Sequence, residues 1–251
     1  MCRLLGLYGK NQFWKDLLLE FQKQSETGIV PPISPPGHKD GWGISVSNSK
    51  KNSMLDVERQ LGSASESVKY KEAISSIEEQ PHITLGHLRK RSHHISVCFA
   101  NVQPFYVQNW ALIHNGSIYE AEKLPRDTSW LLTSENSDSE YYFHFLVTKL
   151  QQKSDSMQDI EIIRSALDQM PVQYSSLNCL LSNGNELFVV RWHTKWPDYY
   201  TLYYYQLETG IIISSEPIAS NNLKSDLWIE FPNYAVAKVS ESPPKIEIIT
   251  N

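Results

Sequence analysis

The first five residues, Met1-Cys2-Arg3-Leu4-Leu5, place a cysteine where removal of one methionine would give it both a thiol and a free α-amino group. The pKa of an α-amine is about 7.7 to 8.0, so near neutral pH part of it is unprotonated and can accept the thiol proton. The same run also fits an ordinary first β-strand with a buried cysteine. It therefore predicts a strand that begins at a candidate nucleophile.

Two further motifs carry groups that acyl transfer from an amide requires. Arg89 ends a predicted strand, and its planar guanidinium can bind a carboxylate through two hydrogen bonds. Asn115 and Gly116 follow another predicted strand, and such a pair most often forms a turn. Facing a nucleophile, the same pair would instead supply an amide and a backbone N–H as the two donors of an oxyanion hole. Both interpretations of the pair stay open.

Other polar segments lie at predicted element boundaries. The segment 134–140 is predicted to begin a helix, where Asp138 can cap the helix and also present a carboxylate to an ammonium group. Lys90 and Arg91 are expected in a solvated basic turn. The segment 210–218 is expected to form a structural edge beside the site.

Eight histidines raise the alternative of a metal-dependent hydrolase. The candidate ligands are His87, His93, His94 and His114. They show neither H-E-x-x-H spacing nor a Cys/His quartet, and the chain has no glycine-rich phosphate loop or dinucleotide motif. We therefore expect neither a metal nor a cofactor.

Composition narrows the class of protein. With 251 residues and 41% apolar content, the chain is expected to form one domain over residues 1–251. A net charge of −5 without a basic block argues against a nucleic-acid partner. Three distant cysteines favour a reducing compartment. Without a signal-like start or a membrane-length apolar run, we expect a soluble cytoplasmic protein with no membrane partner.

Hydrophobic periodicity indicates the elements that position these groups. Helices are predicted over 13–24, 65–79, 141–150 and 160–170. Strands are predicted over 2–8, 41–47, 83–88 and 110–114, and a C-terminal meander of antiparallel strands over 177–181, 186–192, 199–206, 210–215, 234–239 and 245–249. Strands at both ends with helices between them predict an α+β fold of two packed sheets covered by helices.

Seven motifs, taken in order, resemble those of the class-II glutamine amidotransferase domain, a member of the N-terminal nucleophile hydrolases, in its stand-alone branch. They are Cys2-Arg3-Leu4-Leu5-Gly6, Asp40-Gly41-Trp42-Gly43-Ile44, His87-Leu88-Arg89-Lys90-Arg91-Ser92, Asn101-x-x-Pro104-Phe105, His114-Asn115-Gly116, Ser137-Asp138-Ser139-Glu140 and Ser214-Ser215-Glu216-Pro217. The resemblance implies a four-layer αββα sandwich of two mainly antiparallel sheets.

The resemblance also implies residue roles. Cys2 would attack the γ-amide carbon of glutamine to form a γ-glutamyl thioester, with its α-amine as the proton acceptor. Asn115 and Gly116 would then form the oxyanion hole.

The remaining roles concern the substrate. By the same similarity Arg89 would hold the α-carboxylate of the substrate and Asp138 its α-ammonium group. Ser92 and Trp42 are expected beside these substrate-binding residues.

Three functions remain open at the level of sequence. The leading hypothesis is a glutaminase that releases ammonia to a separate ammonia-using synthase, since one such domain accounts for the chain. An alternative is a hydrolase of a γ-glutamyl-amine bond in a larger metabolite or peptide, which would contact the loops 31–37 and 125–136. From another class, the chain could be a non-catalytic regulatory or binding subunit that retains the fold.

Overall fold

The computed structural model describes residues 2–10, 12–31, 34–48, 52–77, 80–92, 96–152, 156–241 and 243–250. The helices are α1 (Trp14–Thr27), α2 (Val68–Ser76), α3 (Asp138–Gln151) and α4 (Asp159–Asp168). The strands are β1 (Arg3–Gly9), β2 (Gly41–Asn48), β3 (Ser53–Gln60), β4 (Ile83–Arg89), β5 (Phe105–Val107), β6 (Trp110–Ile118), β7 (Tyr174–Ser182), β8 (Leu187–Arg191), β9 (Tyr203–Gln206), β10 (Gly210–Ser214), β11 (Ile229–Glu230), β12 (Ala235–Ser240) and β13 (Lys245–Ile249). Across these ranges no helix is both long enough and apolar enough to cross a membrane.

The strands form two antiparallel sheets. The first sheet has the order β11-β9-β10-β1-β4-β2-β3, and the second has the order β13-β12-β8-β7-β6-β5. In the first sheet β1 is the central strand, paired with β10 on one side and β4 on the other. In the second sheet β6 pairs along its length with β7.

Three apolar clusters divide the molecule into four layers. Between the two sheets, Leu4 and Leu85 of the first pack against Ile113 and Leu180 of the second. A second cluster joins the outer face of the first sheet to α1 and α2, and a third joins the outer face of the second sheet to α3 and α4. The predicted α+β fold of two helix-covered antiparallel sheets is confirmed.

The C-terminal strands do not form the predicted meander. Strands β9, β10 and β11 belong to the first sheet, whereas β7, β8, β12 and β13 belong to the second. Each run has the composition of a strand, but composition carries no information about which neighbour will supply the hydrogen bonds. The assignment of these strands to a single meander was therefore wrong.

The structure differs from the predicted strands at β6, β9 and β3. The interpretation of Asn115-Gly116 as a turn is wrong, because β6 runs on to Ile118 with Asn115 opposite Asn178. Strand β9 begins at Tyr203 rather than at residue 199. Strand β3 was not predicted, because this partly exposed strand at the edge of the first sheet lacks clear apolar alternation.

Candidate active site

The pairing of β1 sets the position of Cys2. Arg3 pairs with Leu88 of β4, so Cys2, which directly precedes β1, is buried beside the end of β4. Its Sγ atom lies 3.7 Å from the carbonyl oxygen of Lys90. Its backbone N–H donates to Oδ1 of Asn115 at 2.7 Å, which joins the start of β1 to the second sheet.

The Asn115 side chain faces the nucleophile because side chains alternate along β6. Ala111 and Ile113 lie in the core between the sheets, so Asn115, two residues further on, points toward the same side. The Oδ1 atom of Asn115 accepts the Cys2 hydrogen bond, whereas its buried Nδ2 has no hydrogen-bond partner among the described residues. An amide N–H₂ group is therefore available as a donor beside the thiol.

Gly116 allows β6 to approach β7 closely. A Cβ atom at this position would lie 1.9 Å from the carbonyl oxygen of Ser176 and 2.5 Å from Nε2 of His114. Such distances are far below van der Waals contact, so only glycine fits here. The expected Asn-Gly oxyanion pair thus lies within a strand that packs closely against β7.

A cleft with many polar groups opens beside Cys2. Its lining residues are Cys2, Arg89, Lys90, Arg91, Ser92, Asn101, Gln103, His114, Gly116, Ser137, Asp138 and Ser139. Residues that are far apart in the sequence, from β4, β6 and the start of α3, therefore meet at one place.

The cleft contains one guanidinium and one carboxylate from the predicted set. Arg89 is buried and donates through Nη2 to the carbonyl of Ser96 at 2.9 Å, while its Nη1 has no partner among the described residues. Asp138 is the first residue of α3, and its carboxylate accepts from the backbone N–H of Ile118 at 2.8 Å and of Ser139 at 2.9 Å. The two charges can address opposite ends of a zwitterion.

The structure brings Ser92 into the cleft but not Trp42. The Ser92 hydroxyl lies 3.1 Å from the hydroxyl of Ser117, near the end of β6. Trp42 is completely buried in the cluster between the first sheet and α1 and α2, where its ring packs edge-on against Tyr70 at 4.9 Å. Its indole therefore contributes to packing on the far side of the first sheet and does not line the cleft.

The surroundings of Cys2 favour its thiolate. Burial raises the pKa of the thiol, but the positive amino terminus, which belongs to Met1 before processing, and His87 outweigh that effect and lower the pKa to about 6. His87 is buried on β4, beside the thiol. Because the thiolate is the nucleophilic form of cysteine, this shift would suit Cys2 to act as a nucleophile near neutral pH.

Lys90 does not lie in the predicted solvated turn. It is buried, and its Nζ donates to the carbonyl of Gly37 at 2.9 Å and to that of Pro35. Burial lowers the pKa of Lys90. Arg91 is exposed as expected, and its backbone N–H donates to Oδ2 of Asp40 at 2.9 Å. Lys90 thus fastens the segment preceding β2 to the end of β4 that contacts Cys2.

A buried polar network in the wall of the cleft was not predicted. The backbone N–H of His114 donates to Oε1 of Gln103 at 2.6 Å, and Nε2 of Gln103 donates to the Ser139 hydroxyl at 3.2 Å. That hydroxyl lies 2.9 Å from Nδ1 of His114, and burial lowers the pKa of His114 to about 4. No sequence spacing connects these three residues, which together fix the start of α3 against β6.

A second unpredicted group lies behind Cys2. Tyr199, in the turn before β9, places its hydroxyl 3.4 Å from the Cys2 carbonyl. Arg3 is fully buried and pairs with Glu216 at 3.3 Å. The segment expected at a structural edge lies here, since the Ser215 hydroxyl accepts from the Leu4 N–H at 3.0 Å.

The histidine candidates do not form a metal site in the described ranges. There, no three or more His, Cys, Asp or Glu side chains are placed to hold one metal ion. His114 uses its ring nitrogens within the polar network, and His87 lies beside the thiol. The candidates His93 and His94 lie outside the described residues.

Comparison with solved structures identifies the same fold. A glutamine aminotransferase class-II domain protein from Silicibacter pomeroyi matches with a TM-score of 0.65 and 14% identity over 100% of both chains. The glutamine PRPP amidotransferase from B. subtilis matches with a TM-score of 0.64 and 18% identity over 98% of this chain and 49% of that one. A predicted glutamine amidotransferase from Pseudomonas aeruginosa PA01 matches with a TM-score of 0.56 and 16% identity over 94% of this chain and 96% of that one. At these identities the likeness shows the N-terminal nucleophile hydrolase fold.

Sequence comparison gives the family. No curated protein sequence matches the chain significantly. The family model for class-II glutamine amidotransferases, however, matches residues 1–226 of the 251. This chain therefore belongs to the class-II glutamine amidotransferases, a family that acts on the amide of glutamine.

Proposed function

We propose that this protein hydrolyses the γ-amide of glutamine with Cys2 as its nucleophile, after loss of Met1. The observation that carries the proposal is the orientation of the Asn115 amide. Its oxygen accepts from the nitrogen of Cys2 at 2.7 Å, while its buried Nδ2 has no partner among the described residues. This is the arrangement that a thiol nucleophile requires of an oxyanion donor.

Substrate binding follows from the two charges in the cleft. The Nη1 of Arg89, which has no partner among the described residues, is available for the α-carboxylate of glutamine, since Nη2 is already bound to Ser96. The carboxylate of Asp138, held by two backbone N–H groups, is available for the α-ammonium group. Fixing both groups of the amino-acid head would hold the γ-amide against Cys2 and lower the entropy cost of attack.

The proposed reaction has two stages, which are formation of a γ-glutamyl thioester on Cys2 and hydrolysis of that thioester. The Cys2 thiolate adds to the amide carbon while Nδ2 of Asn115 and the N–H of Gly116 stabilise the oxyanion. The α-ammonium of Cys2 then gives its proton to the leaving nitrogen, and ammonia departs as the γ-glutamyl thioester forms. Water, deprotonated by the regenerated α-amine, hydrolyses the thioester to glutamate and restores the thiol.

The wider setting is part of the same proposal. Residues 1–251 act as one domain, in the cytoplasm, without a metal or cofactor, and ammonia passes to a separate ammonia-using enzyme. The match over 100% of the S. pomeroyi chain supports the one-domain organisation. The cleft lining, which contains both members of the amino-acid-binding pair, supports a substrate with a free α-carboxylate and α-ammonium group, of which glutamine is the smallest γ-amide.

The test is the intact mass of the purified protein before and after treatment with a diazo-ketone analogue of glutamine, together with ammonia release from glutamine. We expect loss of the Met1 mass, a single adduct, and glutamine hydrolysis. The Cys2→Ala variant should show neither the adduct nor the activity.

The contrary outcomes distinguish the alternatives. A processed protein that forms no adduct would point to a non-catalytic binding subunit and overturn the proposal. An adduct together with hydrolysis of a γ-glutamyl dipeptide, but not of glutamine, would replace the proposed substrate by a larger γ-glutamyl amide.

A further inference from the structure

Tyr199 links the nucleophile to the oxyanion residue. Its side chain is 3% exposed, and its hydroxyl lies 3.4 Å from the carbonyl oxygen of Cys2 and 3.4 Å from Oδ1 of Asn115. The single hydroxyl proton is shared between these two acceptors, and neither of them belongs to the same element as Tyr199. The phenol therefore lies at the junction of the two sheets, directly behind the reacting groups.

A buried cation holds the Tyr199 ring. The guanidinium carbon of Arg3 lies 4.9 Å from the ring centroid, a distance at which a cation and an aromatic face attract. Arg3 is itself fully buried, where it donates to the carbonyl of Ile29 and pairs with Glu216 at 3.3 Å. The ring is thus packed against a side chain that cannot easily move.

The backbone around Tyr199 is also anchored to the first sheet. The hydroxyl of Thr201 donates to the carbonyl of Ser215 at 2.7 Å. Ser215 in turn bonds to Leu4 through both its backbone N–H and its hydroxyl, each at 3.0 Å. Tyr199 and the strand that begins at the nucleophile are therefore held as one unit.

The carboxamide of Asn115 can act only if its nitrogen end faces the substrate. One group that holds the oxygen end is the nitrogen of Cys2, which in the proposed reaction gains and loses a proton. The hydroxyl of Tyr199 does not titrate in the working range, since burial raises the pKa of Tyr199 well above its usual value. It is a donor that stays constant throughout the reaction.

We propose that Tyr199 is a positioning residue that orients the Asn115 carboxamide, so that Nδ2 faces the developing oxyanion while the Cys2 amine changes its protonation state. This inference rests on the proposed glutamine hydrolysis and adds a residue outside the cleft lining. Because Tyr199 acts through Asn115, its removal should affect the chemical step more than substrate binding.

The kinetic test uses Tyr199→Phe, which removes only the hydroxyl. We expect kcat for glutamine to fall about tenfold, less than the roughly 10²- to 10³-fold expected for loss of an oxyanion donor, with KM changed less than twofold. The matched control is Tyr70→Phe. Tyr70 is equally buried and donates to the carbonyl of Leu18 at 2.9 Å in the α1/α2 cluster. This control should leave both constants unchanged.

A double-mutant cycle separates positioning from a general structural effect. In an Asn115→Ala background, Tyr199→Phe should have less than a twofold further effect, because the group it orients is gone. Full additivity of the two losses, or equal kinetics for Tyr199→Phe and Tyr70→Phe, would overturn the inference. If wild-type protein and Cys2→Ala are equally inactive on glutamine, the proposed function fails instead.

A second readout does not need activity. The side-chain amide protons of Asn115, assigned by their loss in Asn115→Ala, should shift or broaden in NMR spectra of Tyr199→Phe and stay in place in Tyr70→Phe. Unchanged Asn115 amide resonances in Tyr199→Phe would contradict the inference, whether or not the protein hydrolyses glutamine.

Discussion

Cys2 and Cys179 show that surroundings, and not residue type, decide the reactivity of a side chain. Both are buried. Burial raises the pKa of Cys179 to about 12, whereas the amino terminus and His87 outweigh burial at Cys2 and lower its pKa to about 6. Cys179 is therefore a core residue of β7, whereas the thiol of Cys2 suits the nucleophile role that we propose for it.

The pH dependence of activity should report this difference. Below a pKa of about 6 the Cys2 thiol is protonated and the nucleophile is lost, so kcat/KM should fall tenfold for each pH unit below that value. Above that pKa, kcat/KM should stay constant up to neutral pH. A pH profile of glutamine hydrolysis measures the acid limb, and a limb at the ordinary cysteine pKa of about 8.5 would contradict the prediction.

The contribution of His87 to the acid limb of the pH profile can be measured separately. His87→Asn removes one of the groups that lower the thiol pKa, so the acid limb should move to higher pH. His82→Asn is the control, because His82 packs against Tyr8 at 4.4 Å, at the opposite end of β4. An unchanged limb in His87→Asn would exclude His87 from the activation of Cys2.

The geometry of Arg89 predicts a specific defect in substrate recognition. Arg89→Lys keeps the positive charge but removes the guanidinium, whose Nη2 bonds Ser96 and whose Nη1 has no partner among the described residues. We therefore expect kcat/KM for glutamine to fall about 10- to 100-fold. For an analogue without the α-carboxylate, the variant and the wild type should react at similar rates. Arg164→Lys, on α4, serves as the control. An equal loss with both substrates would mean that Arg89 supports the fold rather than the carboxylate.

At the scale of elements, strand β6 carries the proposed oxyanion pair because it does not stop at Asn115-Gly116. The pair has the composition of a turn, yet cross-strand bonding to Asn178 and Leu177 of β7 keeps it extended. Alternation then directs Asn115 to the nucleophile and His114 to the polar network at α3. One strand therefore supplies both the proposed oxyanion donor and a residue of the network that supports it.

The close contact of β6 and β7 makes Gly116 intolerant of any side chain. In Gly116→Ala the new Cβ would meet the Ser176 carbonyl at 1.9 Å, and backbone cannot move aside as a side chain can. We expect a loss of about 3 kcal/mol or more in the free energy of unfolding, measured by urea denaturation. Gly86→Ala, whose nearest contact is the Phe21 ring at 3.2 Å, should cost less. Equal stability of Gly116→Ala and wild type would disprove the close approach.

At the scale of the whole molecule, the active site depends on the distance between the two sheets. Cys2 and Arg89 belong to the first sheet, while Asn115 and Gly116 belong to the second. The sheets approach closely at Gly6 of β1, where a Cβ atom would lie 2.8 Å from Cδ1 of Leu180 and 3.3 Å from Cδ2 of Leu187. A small residue at this position lets the sheets bring their catalytic groups together.

Gly6→Val should therefore separate the sheets and weaken the site. We expect a loss of about 1 to 3 kcal/mol in stability, and slower labelling of Cys2 by the diazo-ketone. Leu180→Ala alone leaves a cavity and costs about 2 to 5 kcal/mol. In the double variant the new valine occupies that space, so the combined loss should be smaller than the sum. Strict additivity in urea unfolding would show that the two positions do not touch.

The sequence by itself determined the class of fold and supplied the candidate residues for the chemistry. Cys2, Arg89, Asn115-Gly116 and Asp138 could be selected because each lies in a short motif whose residue types suit one chemical task. Helix positions followed from apolar stripes such as that of α1, since burial of one helix face leaves a local pattern. Both kinds of information are contained in a few neighbouring residues.

Only the tertiary structure decided how these pieces meet. It divided the C-terminal strands between two sheets, kept Asn115-Gly116 in a strand, buried Lys90 and placed Trp42 away from the cleft. Tyr199 could not be found from sequence, because its partners lie 197 and 84 residues away. Periodicity reports that a side chain is buried, but its partners depend on strand pairing and sheet packing, which are properties of the whole chain.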